Sequence, residues 1–247
     1  MKTVKPHTPL QYIMEKASFF GLDFKVTEDV LIPRPETEVL VYTVIDIVKG
    51  SRAKSQGLDI LDLGTGCGCI AISLMVRLSS PSSLSKAAEG GRIEDLTKNL
   101  ADCKIIASDI SEKALDVARE NAAINGVSGR IEFIKSDLFD DVAGRFDIIA
   151  SNPPYIARTE FAELQKEVLM EPRIALDGGQ DGLSFYRKIV RKAPEHLKPG
   201  GYLVMEIGFG QAPFIKEIIR AIKGFEVMVV KEDQYEVDRI IVARWTN

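Results

Sequence analysis

A chain of 247 residues is long enough for one large α/β domain with a small appendage. Its 45% hydrophobic and 28% charged residues are those of an ordinary globular protein. A net charge of −4 argues against a dedicated nucleic-acid binder, which needs surplus Lys and Arg to neutralise phosphates, so no direct nucleic-acid partner is expected.

The three cysteines, Cys67, Cys69 and Cys103, contain no CxxC pair and suggest neither a disulfide framework nor a zinc site. Small buried thiols and no bound metal are the expectation. Residues 1–8 are polar, with no apolar stretch after them, so no signal peptide is expected. No apolar run approaches the ~20 residues needed to span a bilayer. These features predict a cytoplasmic protein, monomeric and free of membranes.

In chain order, residues 1–16 are weakly helical. Two short β-like runs, at 18–20 and 24–26 with Gly21 between them, read as a small hairpin. Pro33 and Pro35 end it, and residues 36–49 place Val39, Leu40, Val44 and Ile47 at helical spacing. The pattern then becomes strand, turn and helix, repeated. Strands are predicted at 59–63, 104–107, 131–134, 146–150 and 202–207, with two more at 225–230 and 239–243. Helices are predicted at 69–78, 112–125, 183–197 and 212–222, and a turn at Lys198-Pro199-Gly200-Gly201. This alternation implies a doubly wound, mostly parallel, seven-stranded Rossmann-like α/β sheet covered on both faces, with the hairpin as an N-terminal appendage. Residues 1–50 form the short N-terminal segment and residues 51–247 the main domain. Within the latter, the Ser-, Lys- and Gly-rich stretch 79–100 reads as a mobile insertion.

The run Ile60-Leu61-Asp62-Leu63-Gly64-Thr65-Gly66-Cys67-Gly68 ends a strand and opens a helix. Glycines there allow a sharp turn and let a ligand lie against main-chain N–H groups. A GxG turn alone also fits dinucleotide oxidoreductases. Asp62, two positions before the first glycine, would repel a pyrophosphate but not a cationic, phosphate-free ligand such as S-adenosylmethionine. Asp109 closes the second strand, where a carboxylate can accept hydrogen bonds from ribose hydroxyls; it would equally serve as the N-cap of the helix that follows. Asp137-Leu138-Phe139 follows the third strand and would frame the adenine, with Asp137 near its exocyclic amine.

Ser151-Asn152-Pro153-Pro154-Tyr155 follows the fourth strand, and the carboxyl ends of parallel strands are where open α/β sheets bind ligands. Two successive prolines remove both N–H donors and stiffen the chain. The carbonyls of Asn152 and Pro153 are then free to point outward as acceptors, beside the Asn152 side chain and the Tyr155 ring. That set suits a planar NH₂ group: acceptors hold its two N–H bonds, the ring packs on its face, and the nitrogen lone pair is turned toward a methyl donor. A delocalised amide nitrogen is a poor nucleophile, so positioning and acceptors for the developing charge must supply much of the catalysis. A rigid loop without chemistry is the plain alternative.

With these motifs the sequence resembles the class I methyltransferases, and within them the family of release-factor glutamine N5-methyltransferases. The resemblance runs from about Pro9 to Arg244. Its stretches are Pro9 to Ile13, Leu31-Ile32-Pro33-Arg34-Pro35-Glu36-Thr37-Glu38, Asp62 to Gly66, Ser151 to Tyr155, Leu176-Asp177-Gly178-Gly179-Gln180-Asp181-Gly182-Leu183 and Glu206-Ile207-Gly208. The resemblance implies that Asp62, Leu63, Gly64, Thr65, Gly66 and Asp109 bind S-adenosylmethionine, leaving S-adenosylhomocysteine as product, with Leu138 beside the adenine. Asn152 would touch donor and substrate, and Asn152, Pro153, Pro154 and Tyr155 would hold the glutamine amide, Asn152, Pro153 and Tyr155 carrying the catalysis. The implied partner is a peptide-chain release factor and its Gly-Gly-Gln loop.

Two departures stand beside the resemblance. The family carries a substantial helical N-terminal domain, whereas only some sixteen residues precede the hairpin here, and the stretch 79–100 is unusual. Glu236-Val237-Asp238-Arg239 replaces a Gly-Arg-Asp-Arg run and is expected to be structural. Arg34 and Glu36 either reach the active site or, for Glu36 and Glu38, favour the helix dipole. Glu206 is expected to be structural or to bond the hairpin segment; His7 and His196 are isolated. Methylation of a ribosomal-protein glutamine, of a nucleic-acid base such as adenine N6, or a non-catalytic scaffold role are the competing readings.

Overall fold

The computed structural model describes residues 5–50, 57–79 and 103–247. The chain opens with a one-turn helix, α1 (Leu10–Met14), and a hairpin of β1 (Ala17–Phe19) and β2 (Leu22–Phe24). The hairpin pairs Phe19 with Leu22, which leaves Phe20 and Gly21 as a two-residue loop. Both have positive φ, +54° and +74°, as a type I′ turn requires. The strands sit one or two residues earlier than the apolar runs suggested, because the turn is at Phe20-Gly21. Phe20 is held there: its N–H donates to Glu38 Oε1 at 2.7 Å, and Arg77 Nη2 donates to its carbonyl at 3.0 Å.

A 3₁₀ turn, Pro35–Thr37, leads into α2 (Glu38–Gly50). Then follow β3 (Asp59–Leu63), α3 (Cys69–Ser79), β4 (Lys104–Asp109), α4 (Glu112–Ile124), β5 (Ile131–Lys135) and β6 (Phe146–Ser151). After three short 3₁₀ turns come α5 (Ser184–His196), β7 (Leu197–Glu206), α6 (Ala212–Arg220), β8 (Phe225–Glu232) and β9 (Asp238–Trp245). The seven strands lie in the order β5-β4-β3-β6-β7-β9-β8, parallel except that β9 runs antiparallel to both neighbours. The expected doubly wound α/β sheet with a hairpin appendage is thus the fold. Apart from Ser79, the stretch 79–100 lies outside the described residues.

Alternation along the strands sends side chains to two cores. Ile60, Ile105, Ile148 and Val204 pack beneath the hairpin, α2, α3 and α4. Leu61, Ile106, Ile149 and Met205 pack on the other face against α5 and α6. Cutting one such fully buried Ile or Leu to Ala costs about 2–5 kcal/mol. The Lys198-Pro199-Gly200-Gly201 turn belongs to β7 itself: pairing moves from Phe146–Leu197 to Ile148–Tyr202, so these residues bulge out of the ladder instead of preceding it. Among the described residues no helix is long and apolar enough to cross a membrane.

Candidate active site

A cavity of about 220 Å³ opens at the carboxyl ends of β3, β4, β5 and β6. Leu63, Gly64 and Gly66 come from the turn after β3, and Asp109, Ile110 and Ser111 from the end of β4. Ser136, Asp137 and Leu138 follow β5, and Ser151 to Pro154 end and follow β6. The far wall is Asp29 to Leu31, Pro172, Ile174, Ala175, and Phe185 and Lys188 of α5. The lining carries Asp29, Asp109 and Asp137 against Lys188; Asp29 is paired with Lys113 at 3.0 Å, and the remaining acidic pair favours a cationic occupant. Phe185, Lys188 and the Pro172 to Ala175 wall were not anticipated; the only signal was their closeness to the Leu176 to Leu183 motif.

The glycine turn differs from expectation. The N–H groups of Gly64 and Thr65 donate to the Ser108 carbonyl at 2.9 and 2.8 Å. Gly66 N–H goes to Asp109 Oδ2 at 2.8 Å and Gly68 N–H to the Thr65 carbonyl at 2.9 Å. These donors are consumed inside the protein, so the turn is not an anion cradle. A Cβ built at Gly64 or Gly66 meets no protein atom within 4 Å, and both φ angles are positive, +77° and +55°. At these two positions glycine answers the turn's geometry and leaves open space above it.

Asp62 and Thr65 do not line the cavity, because both side chains are buried within the turn. Asp62 Oδ2 accepts from Thr65 Oγ1 at 2.6 Å and from the Ala71 N–H at 3.1 Å, locking the turn to the start of α3. Burial pushes the Asp62 carboxyl up to about 7 against those two hydrogen bonds. Asp62 thus faces into the turn and not toward a ligand, unlike the charge expected there, and the N–H groups of Gly64, Thr65 and Gly66 already have acceptors within the protein.

Asp109 lines the cavity and does not cap α4; Ser111 does, its Oγ accepting the Ala114 N–H at 3.2 Å. Burial raises the Asp109 carboxyl above the usual range, against hydrogen bonds from the N–H groups of Ser111, Gly66 and Ile110. Beside it, Leu138 adopts φ +53°, a conformation that costs a non-glycine residue about 1 kcal/mol or more. Ser136 Oγ holds it by donating to the Leu138 carbonyl at 2.9 Å. The exposed Asp137 lies at the same rim.

Asn152 and Pro153 form a wall shared by this cavity and a second, of about 70 Å³, which is also lined by Arg34, Tyr155, Ile156 and Val168. Among the described residues no turn, loop or side-chain hydrogen bond reaches the carbonyl oxygens of Asn152 or Pro153. Tyr155 is clamped by the Leu176 to Leu183 segment. Ile156 N–H donates to the Leu176 carbonyl, and Gly178 N–H donates back to Ile156. A Cβ at Gly178 would lie 2.7 Å from Tyr155 backbone atoms, and one at Gly182 2.5 Å from the Tyr155 carbonyl, so larger residues would displace it. Gln211 Nε2 donates to the same carbonyl at 2.9 Å. The Tyr155 hydroxyl is held well above its ordinary pKa by burial, so it stays protonated.

Around the second cavity the Pro-Arg-Pro-Glu-Thr-Glu segment is tied down by buried carboxylates. Glu171 pairs with Arg34 and accepts the Ile32 N–H at 3.0 Å. Glu206 Oε2 accepts from Thr37 Oγ1 at 2.6 Å, and Thr37 Oγ1 accepts from Asn152 Nδ2 at 3.2 Å. Glu206 thus bonds the turn before α2, and Arg34 reaches the site while Glu38 secures the hairpin tip. Arg239 of β9 pairs with Asp233 at 2.8 Å, across the turn that joins β8 to β9.

Residues 54–224 match the family described as a methyltransferase domain. The release factor glutamine methyltransferase of Streptococcus pneumoniae is 38% identical over 96% of this chain and 75% of its own length. That of Cereibacter sphaeroides is 41% identical over 96% and 74%. The chain belongs to the release factor glutamine methyltransferase family. The motif resemblance, carried by Asn152 to Tyr155 and the segments around Thr37 and Gly178, is therefore membership. Solved methyltransferase structures share the fold at low identity. One from Pyrococcus furiosus has a TM-score of 0.58 at 20% identity over 96% of this chain and 94% of its own. The human methyltransferase 10 domain containing protein has a TM-score of 0.55 at 18% over 92% and 90%.

Proposed function

We propose that this protein transfers a methyl group from S-adenosylmethionine to the side-chain amide nitrogen of a glutamine in a peptide-chain release factor, in the Gly-Gly-Gln loop. The observation that carries the reading is the position of Asn152 and Pro153 on the wall between two cavities, one lined by Asp109 and Asp137 as a cationic donor would favour, the other smaller and edged by Tyr155.

The residues present fit such a donor. Open space above Gly64 and Gly66, spent N–H groups and the carboxylates of Asp109 and Asp137 favour a cation without phosphates. Asp109 accepts from the ribose hydroxyls, Leu138 packs on the adenine and Asp137 faces its amine, while Leu63 to Gly66 shape the floor and Asp62 and Thr65 hold that floor rigid. When bound, the donor supplies an electrophilic methyl carbon on a sulfonium. On the acceptor side, the Asn152 side-chain oxygen and the Pro153 carbonyl take the two amide N–H bonds, and Tyr155 and Pro154 confine the plane. Holding the nitrogen in line can contribute about 7–11 kcal/mol of the barrier lowering. Carbonyl acceptors at the N–H groups then stabilise positive charge as it develops on the nitrogen.

The test is methyl incorporation from labelled S-adenosylmethionine into a purified release factor and its loop Gln→Ala variant, beside a ribosomal-protein pool and DNA. Label that vanishes in the variant is the expected result. Label only in another substrate would move the function to that partner, and no label at all would favour a non-catalytic role.

A further inference from the structure

We infer that Thr37 and Glu206 form a hydrogen-bond relay that fixes which end of the Asn152 carboxamide faces the cavities, making both of them positioning residues for the methylation step. The inference rests on the role given to Asn152 above and adds the reason its side chain can play it. The two ends of a carboxamide have nearly the same shape but opposite hydrogen-bonding character. Turned the wrong way, Asn152 would present its own NH₂ to the substrate's NH₂, donor against donor.

The orientation follows from a count of protons. A threonine hydroxyl has one proton to give, and an ionised carboxylate can only accept. Thr37 Oγ1 is 2.6 Å from Glu206 Oε2 and 3.2 Å from Asn152 Nδ2. Its proton goes to Glu206, so toward Asn152 it can only accept, and the Glu206 carboxylate, which the Asn152 side chain also reaches, can likewise only accept. The amide must then direct Nδ2 inward, which leaves Oδ1 as an outward acceptor. Thr37 and Glu206 are 2% and 1% exposed, so water does not compete for either bond. The three residues come from the turn before α2, the end of β7 and the loop after β6, so no local constraint explains their meeting.

The relay has a sense that pH can reverse. Facing Glu206 are Arg239 from β9, Glu36 and Thr37 from the turn before α2, and Asn152 and Tyr155 from the loop after β6. Tyr186 of α5 donates to the Glu206 main-chain carbonyl at 2.9 Å, and Cys69 of α3 lies within electrostatic reach. Burial outweighs the Thr37 and Asn152 hydrogen bonds and the Arg239 charge, and pushes the Glu206 carboxyl up to about 7. Once protonated, Glu206 can donate to Thr37, which releases the Thr37 proton toward Asn152 and removes the preference for Nδ2 inward. Turnover should therefore fall as pH drops through about 7.

The experiment measures kcat and KM for methyl incorporation into a release factor from about pH 5.5 to 8.5, with donor affinity by calorimetry. Thr37→Val keeps the shape but removes the hydroxyl; kcat should fall at least about twentyfold while donor affinity stays within about threefold. Thr37→Ser should restore kcat to within about threefold of wild type. Glu206→Gln cannot ionise and should lose the acid limb of the profile. A Thr37→Val enzyme that binds donor normally and turns over within twofold of wild type overturns the relay. If Thr37→Val binds no donor, the pH profiles decide, and identical acid limbs in wild type and Glu206→Gln overturn it. Wild-type protein that leaves the release factor unlabelled defeats the proposed function instead. The relay is then read from the ¹⁵N–¹H pair of the Asn152 amide, which should shift between pH 6 and 8 in wild type and not in Glu206→Gln; no shift overturns it.

Discussion

Asp109 Oδ2 accepts the N–H of Gly66 at 2.8 Å while its Oδ1 accepts that of Ser111 at 2.9 Å, so one carboxylate holds the turn after β3 against the start of α4. Both partners line the larger cavity. Removing the carboxylate frees the turn and deletes the acceptor assigned to the ribose. Asp109→Ala should weaken donor binding at least tenfold and lower stability by about 1.5–3 kcal/mol, the usual range for hydrogen bonds to a charged group. Calorimetric titration checks the first effect and urea unfolding the second. An unchanged dissociation constant rejects the ribose assignment even if stability falls.

Asp62 offers a test by pH. Its carboxyl is wholly buried, Oδ1 has no hydrogen-bond partner among the described residues, and burial raises it from an ordinary 3.8 to about 7. Between those values the folded protein keeps a proton that the unfolded chain has lost. Stability therefore falls as pH rises across that window, by on the order of 4 kcal/mol for a shift of this size. Glu206 is raised in the same sense, so the contrast between Asp62→Asn and wild type isolates Asp62. The variant should be the less pH-sensitive of the two from about pH 4 to 8 in urea titrations. Parallel curves would mean that the Asp62 carboxyl does not titrate in this range.

The strands and the Asn152 to Tyr155 loop were legible because their signals are local. Ile60, Ile105 and Ile148 alternate with residues of the other face, and glycine or proline marks the turns after β3 and β6. Other features depend on contacts between distant segments. Thr37 meets Asn152 across 115 positions and Glu206 across 169, and neither pairing leaves a mark in the intervening sequence. Lys198 to Gly201 has the composition of a turn, yet ladder pairing with β6 resumes on its far side and draws it into β7. At Asp62 the residue type suggested a charge facing ligand, but the strand's alternation and the Thr65 hydroxyl take the side chain inward.

Gly178 and Gly144 make a paired prediction about the clamp on Tyr155. Gly178 has an ordinary φ, and the reason for glycine is contact: a Cβ would sit 2.7 Å from two Tyr155 backbone atoms. Gly144 has φ +93° and open space around it. Gly178→Ala should cost about 1–3 kcal/mol by overpacking and lower turnover by shifting Tyr155. Gly144→Ala should cost about 1 kcal/mol through backbone strain and leave turnover unchanged. Equal turnover in the two variants would separate Tyr155's placement from the chemistry.

Asn152 joins the two cavities, so its removal should separate catalysis from donor binding. In Asn152→Ala the Pro153 carbonyl remains as an acceptor but one N–H of the substrate amide loses its partner. Loss of a positioned polar group of this kind lowers turnover by about 10²–10³-fold. Donor affinity should change by less than about tenfold, because Asp109 and the glycine turn are untouched. If Thr37 acts only by orienting Asn152, adding Thr37→Val to Asn152→Ala should lower turnover no further, although each change alone is costly. Steady-state kinetics of the two single variants and the double variant measure this coupling directly. Additive losses would assign Thr37 a part independent of Asn152, and turnover near wild type in Asn152→Ala would remove the proposed grip on the amide altogether.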